Sequence, residues 1–210
     1  MHKQLKDALK IKVPKPVIGV ENTQELHPLF YRQFRRYYRT LEGKEDNFNA
    51  LVLSGLFLHL TLESYITWII RWLLEHINIS KNRRLSKVWE QHFENEAFLN
   101  KKIQFFEDAF LANADKSRIK AIKKFAMKLG DLRNGIVHGH EYSTTSWSNG
   151  NIVETKLAKL VTFRTIDEYY SEFNKRMKDI SLLFNRIDMA EILPGIPSKD
   201  WVIRHLTFRL

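Results

Sequence analysis

The stretch from Leu51 to Ile77 reads LVLSGLFLHLTLESYITWIIRWLLEHI, and it decides the fold. It is apolar on nearly every side, the pattern of a helix wrapped by neighbours rather than laid on a surface. His59, Glu63 and Arg71 interrupt it. A lone membrane span tolerates such groups poorly, so the stretch is expected to be the buried central helix of a soluble protein. Asp46 or Asn47 is placed to cap it, giving a helix roughly 45 Å long at 1.5 Å per residue.

Upstream, residues 1–22 alternate lysine with apolar residues and pass through Pro14, Pro16 and Gly19. They read as an irregular basic arm, and Met1 to Lys6 lacks the apolar core of a secretory signal. Pro28 suits the first turn of a helix, expected to run to about Leu41 and stop at Gly43. In it Phe30, Phe34, Tyr37 and Tyr38 recur at core-facing spacing, which leaves the interleaved arginines, Arg35 and Arg36 among them, as a solvated ridge.

Downstream, a polar loop holding Lys81, Arg83 and Arg84 is expected, then two shorter helices within 86–112, the second capped by Asn100. Residues 117–138 carry a buried stripe of Ile122, Phe125, Leu129, Leu132 and Ile136. Tyr142 to Trp147 and Ile152 to Arg164 are rich in β-branched and aromatic residues and flank Asn149-Gly150, a hairpin signal. Thr165-Ile166-Asp167-Glu168 matches a capping box, opening a helix to about Glu191 that Pro194, Gly195 and Pro197 end. The expected fold is mainly α. It divides into a basic arm and helix over 1–45, a helical domain over 46–191 with a hairpin at 142–164, and a C-terminal tail over 192–210.

The 210 residues contain no cysteine, which removes disulfides and thiolate metal ligands and fits a reducing, cytoplasmic compartment. The net charge of +10 is concentrated in two blocks. Residues 1–45 hold ten Lys/Arg against five Asp/Glu, and residues 101–140 hold nine against four. Such a field attracts polyanions; the plain alternative is a merely basic soluble protein.

The second block contains Arg133-Asn134-Gly135-Ile136-Val137-His138, followed by Gly139. A bare Arg-x4-His spacing has little meaning, because Arg71 and His76 also match it inside the apolar central helix. The run at 133–138 is more demanding, with Asn134 directly after the arginine and Asp131 just before it. On a continuing helix Asp131, Asn134 and His138 share one face, while Leu129, Leu132 and Ile136 hold the adjacent face in the core.

RNA cleavage through the ribose 2′-hydroxyl needs a proton carrier and a cation for the phosphorane. His138 supplies an imidazole that titrates near neutrality, Arg133 a permanent bidentate clamp for phosphate, and Asn134 an amide that can orient either. Lys123, Lys124 and Lys128, with Arg35 and Arg36, are the candidate RNA contacts. One histidine cannot easily act as both base and acid, which favours a two-fold dimer. The plain alternative is a helix end where Asn134 and His138 cap carbonyls and Gly139 stops the helix. His59 and Glu63, one turn apart, read equally as a buried polar pair or as site residues. His140 reads as exposed or as a second proton carrier. His138-x-His140 with Glu141 is an unsupported fragment of a metal site, so neither metal nor cofactor is expected.

The run at 133–139, late in a basic helical segment, resembles the Arg-Asn-x-x-x-His motif of HEPN (higher eukaryotes and prokaryotes nucleotide-binding) domains. The helix carrying Glu63 in Leu60-Thr61-Leu62-Glu63-Ser64-Tyr65 looks like the long helix beside that motif. The resemblance covers residues 46–190, with only the six-residue motif specific. It implies an up-and-down helical bundle, a homodimer, and a metal-independent endoribonuclease leaving 2′,3′-cyclic phosphate and 5′-hydroxyl ends. Arg133 and His138 map to the catalytic pair, Asn134 to the polar position between them, and Glu63 to a helix residue contacting the arginine. Many relatives act in bacterial defence or toxin–antitoxin systems, which adds an antitoxin or regulatory protein to RNA as partners. The rival readings are a non-catalytic RNA- or nucleotide-binding module and a dimeric interaction module. The predicted hairpin is not part of the minimal bundle.

Overall fold

The computed structural model describes residues 26–45, 47–76, 79–93, 98–111, 116–137, 145–148, 151–154, 161–187 and 198–208, with backbone alone for 79–81, 145–148 and 151–154. The architecture is a helical bundle built around one long helix. Asn47 caps that helix, its Oδ1 accepting from the Ala50 amide at 3.1 Å. Asp46, the other candidate cap, lies outside the described residues. The first helix, α1 (His27–Arg39), carries Pro28 in its first turn. It packs against the long α2 (Phe48–His76). Between them Gly43 adopts φ +79°, the left-handed geometry that lets a chain reverse after a helix. By length and composition α2 passes for a membrane span, yet 72% of its most apolar window is buried inside the bundle.

Lys81, Arg83 and Arg84, expected in a loop, lie within α3 (Ile79–His92). The Asn82 amide donates to the Leu74 carbonyl near the end of α2, and the Ser86 hydroxyl donates to Asn82 Oδ1 at 2.6 Å. Asn82 thus serves a carbonyl that the end of α2 leaves open, and lysine and arginine are good helix formers. Asn100 does not cap α4 (Leu99–Phe110), because Phe98 occupies that position with no side-chain cap. The buried stripe of Leu99, Ile103, Phe106 and Phe110 begins at Leu99, so burial sets the start of α4.

The next helix, α5 (Lys116–Val137), buries the anticipated stripe from Ile122 to Ile136 and contacts both α2 and α4. Helix α6 (Phe163–Leu183) starts earlier than Thr165, because Thr162 Oγ1 accepts from the Thr165 amide at 3.1 Å. Fully buried Ile166 therefore already sits inside the first turns. The helix tightens into a 3-10 turn at Phe184–Arg186, short of the expected Glu191; residues 188–197 lie outside the described set. The structure does not support the extent of 142–164 expected for the hairpin insertion. Backbone runs Thr145–Ser148 and Asn151–Glu154 pair antiparallel, but Phe163 and Arg164 belong to α6. The expected tail contains a further helix, α7 (Lys199–Leu206), capped by Ser198.

Helices α5 and α6 approach α2 closely at Gly55. A Cβ there would lie 2.9 Å from Leu132 Cδ2 and 3.2 Å from Ile166 Cδ1, so the missing side chain lets α5 and α6 seat on α2. The two ends of the described chain meet at Tyr65. Its buried hydroxyl donates to the Leu206 carbonyl at 2.6 Å and accepts from the Phe208 amide at 3.0 Å. His27 packs among the rings of Tyr65, Trp68 and Phe208, with centroids 5.1 to 5.5 Å away. Helices α1 and α7 therefore share the core of the segment between them.

Gly55→Ala is expected to destabilise the protein by about 1–3 kcal/mol through overpacking, read as a lower urea midpoint at constant slope. A second expectation concerns acid. Burial pushes the His27 imidazole down to about 4 from 6.5, so the unfolded chain binds its proton first as pH falls. The His27 contribution is whole above pH 6.5 and is lost towards pH 4, by about 3 kcal/mol. His27→Leu should flatten that slope in urea titrations run between these pH values.

Candidate functional site

Where α5 passes α2 and the start of α4 there is an open cleft of about 440 Å³. Met127, Gly130, Asp131 and Asn134 line it from α5, one turn apart and flanking the buried Leu129–Leu132–Ile136 stripe. Among the described residues nothing lies within 4 Å of an ideal Cβ on Gly130. Arg133 also lines the cleft, and its Nη1 donates to Asn134 Oδ1 at 3.0 Å. The long guanidinium side chain thereby returns to the face that Asn134 occupies. Asp131 is exposed. Helix α5 runs up to Val137; His138, Gly139 and His140 lie outside the described residues.

Opposite, α2 contributes His59 and Glu63. The resemblance pairs Glu63 with the arginine, but its carboxylate is held elsewhere among the described residues. His59 Nε2 lies 3.3 Å from Oε2, and Lys102 Nζ donates to Oε1 at 3.0 Å. The His59 bond holds the Glu63 carboxyl down at about 2, aided by Lys102 and opposed by burial. Among the described residues the buried His59 Nδ1 has no hydrogen-bond partner. Lys102 is 5% exposed, and sequence reading missed it. The available signal was its place between Leu99 and Phe106 on the inward face of α4, where a lysine demands a carboxylate.

The other candidates are spread over the bundle. Lys123 donates to Glu107 at 2.6 Å and to Gln104, while Lys128 donates to Glu172 at 3.1 Å. Arg35 donates to the Tyr170 hydroxyl at 2.7 Å and lies over its ring. Lys124 and Arg36 are exposed. His76, of the second Arg-x4-His match, stacks on Trp72 at 4.2 Å and its Nδ1 meets the Trp72 carbonyl at 2.7 Å. Among the described residues no three histidines or carboxylates gather closely enough to hold a metal ion.

The cleft therefore combines a guanidinium steered by an amide, a carboxylate fixed in its charged form, and an imidazole hydrogen-bonded to that carboxylate. Such a set can bind a phosphodiester at Arg133. No family model, no curated protein and no solved structure matches the chain.

Lys102→Met strips the Glu63 carboxylate of its cation. The expected cost is about 2–3 kcal/mol, below that of a wholly buried pair because the Glu63 side chain is 31% exposed. Urea unfolding measures it, and a cost near zero contradicts the role given to the pair.

Proposed function

We propose that this chain is a metal-independent endoribonuclease of the HEPN kind, acting in the cytoplasm as a homodimer in a defence or toxin–antitoxin setting. The observation that carries the reading is the placement of Arg133 and Asn134 on the wall of an open cleft, at the end of the helix whose next residue in sequence is His138. Their hydrogen bond leaves the other guanidinium N–H groups to meet phosphate.

The reaction follows from these groups. An imidazole takes the proton of the ribose 2′-hydroxyl, and the 2′-oxygen attacks the adjacent phosphorus. The bond from phosphorus to the 5′-oxygen then breaks, and a second imidazole returns a proton to that oxygen. A 2′,3′-cyclic phosphate and a 5′-hydroxyl remain. Arg133 offsets the charge that builds on the phosphorane oxygens. The His138 residues of two subunits provide the base and the acid.

The second reading is RNA binding without turnover, which shares its expected cationic contacts with the nuclease; three of the five, Lys123, Lys128 and Arg35, are engaged by groups of the bundle itself. It predicts salt-sensitive retention of intact RNA.

Purified protein is expected to cut RNA in EDTA. His138→Ala should slow cleavage by about 10²–10⁴-fold and Arg133→Ala by about 10²–10³-fold, both with unchanged circular dichroism. Denaturing gels measure this, and full-rate cleavage by both folded variants contradicts the assignment.

A further inference from the structure

The cleft that holds Arg133 also carries two large apolar side chains that the bundle leaves in water. Phe98 is 73% exposed and Met127 56% exposed, and they line the cleft from opposite walls, Phe98 at the start of α4 and Met127 on α5. Phe98 breaks a local rule as well. It stands at the N-cap of α4 with no side-chain cap, where a short polar residue serves the first-turn amides better. A residue that neither caps its helix nor buries its ring marks a place where function overrides local preference. Asn100 and Asn134, both half-buried, line the cleft from the same two walls, and a side-chain amide both donates and accepts.

We propose that this cleft binds the nucleobase of the nucleotide whose phosphate meets Arg133, with Phe98 as its stacking platform and Met127 as the facing wall. The choice of ligand rests on the nuclease reading and deepens it. Every base has a π-face that stacks on an aromatic side chain, and its polar edge finds the amides of Asn100 and Asn134. The volume of about 440 Å³ falls among small-molecule sites, roughly 300–1,000 Å³, and has room for a base beside its sugar and phosphate. Glu63 is occupied by His59 and Lys102, and Asp131 is exposed, where water weakens its repulsion of the phosphate. Arg133 thus anchors the backbone, and Phe98 holds the base.

Adenosine 5′-monophosphate is the probe, with ribose 5-phosphate as the match without a base and adenosine as the match without a phosphate. Calorimetric titration of the full chain should give saturable binding of the nucleotide. Ribose 5-phosphate should bind about 5- to 150-fold more weakly, the worth of one stacked base, and adenosine should also bind more weakly. Phe98→Ala should weaken the nucleotide by a factor in the same range and leave ribose 5-phosphate unchanged, while Phe98→Tyr keeps the affinity. Arg133→Ala should weaken both phosphates. Circular dichroism confirms the fold of each variant, and sedimentation its oligomeric state. Absence of saturable nucleotide binding, equal affinity for ribose 5-phosphate, or unchanged nucleotide binding by folded Phe98→Ala overturns the subsite. So does a dimer that falls to monomer in Phe98→Ala, which would make the ring a contact with a second copy of the chain. None of these probes contains a bond the nuclease would cut. Binding without RNA cleavage therefore refutes the nuclease reading alone, and cleavage without a contribution from the base refutes the subsite alone.

Discussion

Everything in this molecule is arranged around the need to cover α2. A helix apolar on nearly all sides is stable in water only if other elements take each of its faces, since each square ångström left bare forgoes roughly 25 cal/mol. Helix α1 covers one side, and α5 and α6 close on it at Gly55. Tyr65 fixes the closing segment after α7 with two hydrogen bonds to its backbone. Elsewhere the surrounding helices carry the basic residues.

That constraint also explains the polar cluster at the middle of the helix. Glu63 cannot sit among apolar neighbours uncompensated, so His59 from the preceding turn and Lys102 from α4 meet it. The compensation has a geometric consequence. It leaves a charged wall with a cleft on each side, and Glu63 lines both.

The helical elements were largely legible in sequence because they rest on periodicity. The stripe on α5, the Asn47 cap and the Gly43 turn follow from local spacing alone. What periodicity did not reveal was tertiary pairing. The Asn82–Leu74 bond draws Lys81, Arg83 and Arg84 into a helix that their polarity alone suggested was a loop. The aromatic register of α4 displaces the expected cap at Asn100. Helix α7 is short and owes its place to Val202, Leu206 and Phe208 meeting a core assembled far away in sequence. At the candidate site, Arg133, Asn134, Asp131 and Glu63 line one cleft. Lys102 escaped notice because its partner is 39 residues away, and Lys123 and Lys128 looked like free cations because their carboxylates lie on other helices.

The central chemical claim is that the ribose 2′-oxygen, not water, attacks phosphorus. The most direct measurement is cleavage of an oligoribonucleotide carrying one 2′-deoxy sugar immediately 5′ of a mapped cut site, compared with its all-ribose twin. The account predicts that the cut disappears at that position alone while other sites are cleaved at their former rates. Cleavage persisting at the deoxy position would show attack by another nucleophile and contradict the account.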